Sequence, residues 1–335
     1  METQNAVSSD LNWYVKFFTT GIVASIVLLL IPILIALIIP KIIKKPSNSF
    51  SLYIYSFVSG MLIILGTFGY MREALELSAT YPHATDASTL IKFAWNFIWI
   101  VSGLVIGATI SVTIKVLVYK YTKKKLSGVY VHKHNDLHGS HSHEHIDLIF
   151  NTNDVIESDI AIATKKNKWT ALFLLLGHRI PEGIMIGLSV YNIFISKQNT
   201  VAFDAISIVF LITFVIHTVP EEVVFYYRQR EMGISPIKAT FNSILGLSLI
   251  IPFIFIGMLT KFGIENSANQ SIVMHGIIPM INAAIGITMI FTAFVELLPE
   301  FFHTSLNDRK KWIIVISVFF IGVIFTILLL IFHVH

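Results

Sequence analysis

The stretch Gly177-His178-Arg179-Ile180-Pro181-Glu182-Gly183 decides how this chain reads, because it lies inside the apolar run from Trp169 to Phe194. It has an echo in the next apolar run, His217-Thr218-Val219-Pro220-Glu221-Glu222. Each copy sets a His four residues before a Glu, with a Pro directly before the Glu. On a helix, positions i and i+4 share a face, so the spacing predicts that His178 goes with Glu182 and His217 with Glu221. Pro181 and Pro220 have no N–H to give the carbonyls of Gly177 and Ile216, which predicts a kink in each helix and a freed carbonyl beside the pair. Two such helices together offer two imidazoles and two carboxylates, a donor set suited to a divalent transition metal.

Energetics favour that reading over incidental packing. An acidic or basic side chain at a bilayer centre costs about 2.5–3.5 kcal/mol on insertion scales, against about 0.3–0.6 kcal/mol gained per Leu or Ile. Arg179, Glu182, Glu221 and Glu222 therefore do not face lipid. A lone His in an apolar run is ordinarily a packing residue, but a motif repeated in consecutive runs is not explained that way.

With 335 residues, 13% of them charged, and a mean hydropathy of +0.74, the composition describes an all-α polytopic membrane protein and not a soluble enzyme. Residues 1–335 read as one transmembrane domain. The first twelve residues are polar and lack the basic start and small-residue cleavage site of a signal peptide, so the first apolar run is expected to be retained. The chain has no cysteine, which excludes thiolate ligation and disulfides. Its net charge of +4 needs no nucleic-acid partner, because the basic residues cluster between apolar runs. The preference for Lys over Arg and the abundance of Ile fit a low-GC bacterium.

Eight apolar runs can be cut, at about 15–40, 52–72, 91–119, 169–194, 203–227, 239–261, 271–300 and 311–333. A core of roughly 30 Å takes about 20 residues to cross, so each reads as a spanning helix. Lys41, Lys44 and Lys45 follow the first run, and Lys120, Lys123, Lys124, Lys125, Lys133, Lys165, Lys166 and Lys168 crowd the third connection. Arg228, Arg230 and Lys238 mark the fifth connection and Arg309, Lys310 and Lys311 the seventh, while the even-numbered connections carry few basic residues. The excess predicts odd connections inside and both termini outside, in the plasma (cytoplasmic) membrane.

The long third connection, residues 120–168, holds His132, His134, His138, His141, His143 and His145 within fourteen residues. Such a tract reads as auxiliary metal binding, and its polar, aperiodic surroundings predict a disordered cytoplasmic loop. Glu73 and Glu76, with His83 and Asp86, fall in the second connection and could gather cations at an outer mouth. Glu296 and Glu300 again straddle a proline at i and i+4, near the inner end of the seventh run, where they could form part of an exit path.

HRIPEG in the fourth run, HTVPEE in the fifth, the His-rich connection before them and ELLPE in the seventh together resemble the ZIP (Zrt/Irt-like protein) family of divalent-metal transporters. The resemblance covers the whole eight-run layout. It implies inverted three-helix repeats around a central pair, a rocking or elevator-like motion, homodimers, and a metal site between the fourth and fifth spans. The implied ligands of the transported ion are His178, Glu182, His217 and Glu221. The implied cargo is Zn(II), with Fe(II), Mn(II) and Cd(II) as the other candidates. Many members hold a second ion, using an Asn after the fourth-span His, an acid after the fifth-span His, and a sixth-span Glu before a proline. Those positions read Arg179, Thr218 and Ile251 here, which predicts a single ion, with Arg179 standing in for the second and paired to Glu222 or Glu182. The remaining alternatives are a metal-sensing or transport-impaired relative, and an intramembrane metalloenzyme. The latter lacks an H-E-x-x-H motif and leaves no carboxylate over as a general base.

Overall fold

In lipid no water satisfies exposed backbone groups, so an apolar run crosses as a helix that closes its own hydrogen bonds. The structure, a computed structural model, describes residues 2–42, 48–80, 88–127, 172–195, 201–265, 273–299 and 309–331. Eight of its helices are long and apolar enough to cross a membrane: α1 Trp13–Ile42, α2 Ser49–Ala79, α3 Thr89–Leu117, α4 Leu172–Phe194, α5 Phe210–Glu231, α6 Pro236–Gly263, α7 His275–Leu297 and α8 Arg309–Ile331. No strand occurs among the described residues. The tract from His132 to His145, together with His83, Asp86 and Glu300, lies outside them.

Burial sorts the helices into two sets. In α2, α4, α5 and α7, 56–61% of the most apolar stretch is buried, against 22–39% in α1, α3, α6 and α8. The first four line the interior, and the others turn Leu, Ile and Phe side chains outward, as a lipid-facing surface requires. The closest pairings are α4 with α6, α3 with α7 and α2 with α8. Lipid tails are as apolar as leucine, so helices in a bilayer associate chiefly through close backbone approach at small residues. Along α4 and α6, Gly187 meets the Ile254 carbonyl and Gly257 the Ile184 carbonyl, and a Cβ at either would collide with backbone. Any side chain there forces these helices apart.

The two prolines act differently from one another. In α4 the helix runs to Gly177, turns at His178 and resumes at Arg179. Pro181 then falls in a first turn, where a missing N–H is tolerated. His178 keeps right-handed helical angles, its N–H bonds the Leu174 carbonyl at 3.3 Å and its carbonyl takes the Glu182 N–H at 3.2 Å, so α4 is locally distorted there and not broken. In α5, Pro220 lies inside a helix that continues from Val201 to Glu231.

α2 also departs from the sequence reading. It runs on past residue 72 to Ala79, so Glu73 and Glu76 lie on its last turns and not in the connection. Its segment Leu65–Met71 is π-helical. A π turn inserts one extra residue and re-aims the side chains on it, a distortion common at functional sites.

Candidate metal centre

The distorted turn of α4 at His178 and the π turn of α2 flank one buried polar cluster. His178, Glu182, His217 and Glu221 are each at most 2% exposed. The i, i+4 rule puts each His and Glu on a common face, but the contacts cross between helices. His178 Nε2 lies 3.2 Å from Glu221 Oε2, and His217 Nε2 lies 3.3 Å from Glu182 Oε1. Two helices facing each other with the same motif bring imidazole opposite carboxylate, so the partner is across the groove and not one turn along.

Both rings are anchored alike. His178 Nδ1 contacts the Leu174 carbonyl at 3.2 Å, and His217 Nδ1 contacts the Thr213 carbonyl at 2.9 Å. A carbonyl only accepts, so each Nδ1 carries the proton and donates it. In a neutral ring Nε2 is then the lone-pair atom, and it faces a carboxylate oxygen that is also an acceptor. Two acceptors at that distance are held together by a cation, either a proton on the ring or a metal ion between them. The carbonyls that orient the rings lie one turn before each His, at Leu174 and Thr213, and are not those of Gly177 and Ile216.

Arg179 is 1% exposed, and its Nη2 donates to Glu222 Oε2 at 2.9 Å. Of the two partners left open by the sequence, the structure pairs it with Glu222. Its guanidinium also lies 5.6 Å from the centre of the Phe225 ring. The room for it comes from Gly246, where a Cβ would stand 3.3 Å from Nη1. Thr218 is buried and spends its hydroxyl on the Phe214 carbonyl at 2.7 Å. Ile251 packs against the apolar cluster around α1 and α6.

Two residues escaped the sequence reading. Tyr70 is 3% exposed, and its hydroxyl donates to Glu182 Oε1 at 3.1 Å. A buried tyrosine needs a partner for its hydroxyl, and that need was the available signal. Lys115 of α3 lies 3.0 Å from Glu296 of α7, so Glu296 is a member of an ion pair. Glu73, Tyr70 and His217 line one cleft between α2 and α5. Glu76 is exposed and pairs with Arg72 at 2.6 Å. Among the described residues, no three His, Asp or Glu side chains already stand around a common point. The four central donors are engaged in two His–Glu pairs.

Eight helices long and apolar enough to cross a membrane, packed around buried His–Glu pairs, define a polytopic membrane protein with a charged core. The family model described as ZIP zinc transporter matches residues 15–330, and the chain belongs to that family. It is therefore a divalent-metal transporter by family. No curated protein matches the chain.

Proposed function

We propose that this protein carries zinc(II) into the cytoplasm through one site built from His178, Glu182, His217 and Glu221. The observation that carries the reading is the pairing of two imidazole lone pairs with two carboxylates, buried between α4 and α5. A mixed His/carboxylate set binds a transition metal yet leaves dissociation feasible, as transport requires. Mg(II) and Ca(II) prefer all-oxygen shells and fit this set less well, whereas Fe(II), Mn(II) and Cd(II) share its chemistry with zinc. A second adjacent ion has little to hold it, since Arg179 is cationic, Thr218 is spent on backbone and Ile251 is apolar.

On the topology expected from the basic connections, the cleft with Glu73 opens outward and supplies the site. On the same topology the Lys115–Glu296 pair falls toward the inner ends of α3 and α7, where we propose an exit path. Zinc uptake into proteoliposomes tests the function directly. Loading without net uptake would favour a sensor, and an anomalous map with two ions roughly 3.5–4 Å apart, the spacing of two-metal sites, would overturn the single site.

The His-rich connection is proposed to buffer or sense metal on the cytoplasmic side. Deleting residues 132–145 is expected to leave uptake within about twofold of the full chain, because no core helix is shortened, while changing its response to cytosolic zinc. Loss of uptake in a well-inserted deletion would put the tract in the transport path instead.

A further inference from the structure

We propose that Tyr70 positions Glu182 as a one-oxygen ligand and thereby sets which divalent ions the site accepts. The proposal rests on His178, Glu182, His217 and Glu221 being the ion site. It starts from an asymmetry between the two carboxylates. Glu182 Oε1 faces His217 Nε2 at 3.3 Å and also receives the Tyr70 hydroxyl at 3.1 Å. Glu221 uses Oε2 toward His178, and its Oε1 is buried with no hydrogen-bond partner. One carboxylate is held from a third helix; the other has an oxygen free to turn.

The hold on Glu182 is built into α2. Tyr70 sits on the π-helical segment Leu65–Met71, and its ring stands edge-on to Phe210, centroids 6.2 Å apart and planes at 90°. With the phenol occupying one lone pair of Oε1, that oxygen presents its remaining lone pair toward His217. Clasping an ion with both oxygens means rotating the carboxylate, which breaks the Tyr70 bond in a buried place. Zinc takes four ligands, with single carboxylate oxygens at about 2.0–2.2 Å. Calcium takes six to eight oxygens and commonly both oxygens of a carboxylate. A fixed one-oxygen Glu182 therefore suits the small, low-coordination ion and penalises the larger one.

The cleft adds an order of events. Tyr70 and His217 both line it, so an ion arriving that way meets the fixed Glu182/His217 half first. The Glu221/His178 half, with its unheld oxygen, closes on it second. Discrimination then acts at first contact, before the site is complete.

Tyr70→Phe in the full-length protein tests this, since it removes one oxygen and keeps the ring against Phe210. Radiolabelled zinc uptake is measured in proteoliposomes across zinc concentrations, with and without excess calcium. The expected result is a KM for zinc raised about 10–100-fold, as for loss of an outer partner of a metal ligand. The maximal rate per inserted molecule should change little, and calcium should compete where it does not with wild type. A packing role alone changes yield or rate and leaves KM and calcium competition untouched; that outcome overturns the proposal. Zinc and calcium titrations of the detergent-purified protein give the same comparison where transport is too weak to read. Glu182→Gln, run alongside, separates the failures. If Glu182→Gln abolishes uptake and Tyr70→Phe is silent, only the role of Tyr70 falls; if both transport normally, the site itself is wrong.

Discussion

Alanine at His217 is expected to abolish zinc uptake, by more than about a hundredfold, in protein that still inserts and resists thermal unfolding. A hundredfold is the upper range for losing an outer partner of a ligand, and losing the ligand itself should exceed it. Stability survives because Glu182 keeps the Tyr70 hydroxyl at 3.1 Å after the imidazole has gone. His178→Ala should be equally inactive but less stable. It strands Glu221, whose Oε1 already lacks a partner, and a buried, uncompensated carboxylate is costly. Uptake and detergent melting curves, measured side by side, check both halves. Substantial uptake by the His217 variant would remove that residue from the site.

Arg179 gives the second large effect, on folding more than on turnover. Arg179 and Glu222 are both at most 1% exposed and meet at 2.9 Å. Removing one member of a buried pair costs about 3–5 kcal/mol, because the other is left charged without compensation. Arg179→Ala should therefore reduce the folded fraction sharply, and Glu222→Ala likewise. Replacing both, as Arg179→Met with Glu222→Leu, should recover most of the loss, since apolar residues of similar volume often substitute for a buried pair at no net cost. Single and double variants of equal stability would show that the pair carries no coupling. Arg179→Asn asks about transport itself: an unchanged zinc affinity and rate would deny the arginine an electrostatic role at the site.

Much of this was readable before any coordinates. Eight spans follow from apolar length, and the clustering of four donors follows from a motif repeated on neighbouring helices. Demand for a carboxylate near Arg179 followed from the cost of burying a guanidinium. The choice between Glu182 and Glu222 did not, because it depends on how α4 and α5 are rotated about their axes. Crossed His–Glu pairing was illegible for the same reason: spacing along one helix fixes a face, and only packing fixes what stands opposite. The reach of α2 to Ala79 was hidden because Arg72, Glu73 and Glu76 look like the end of a span. Tyr70 was hidden by the π turn, whose extra residue leaves no trace in a 3.6-residue period. The six loop histidines, read from composition, fall outside the described residues.

The buried cluster also has an electrical consequence for the transport cycle. Glu182, Glu221 and Glu222 against Arg179, all buried, leave two negative charges when both imidazoles are neutral. One divalent cation cancels them, and so do two protons. A core of low dielectric penalises every other loading, including the bare site and any second divalent ion. For the proposed site, inward passage with one zinc and return with two protons therefore moves no net charge at the core. A charge crossing the membrane gains about 2.3 kcal/mol for each 100 mV, so an electrically silent cycle should ignore voltage. Uptake into proteoliposomes is accordingly expected to stay constant when a potassium diffusion potential is imposed, and to be driven instead by a pH difference that is alkaline outside. A steep dependence on voltage would mean that the empty site returns charged.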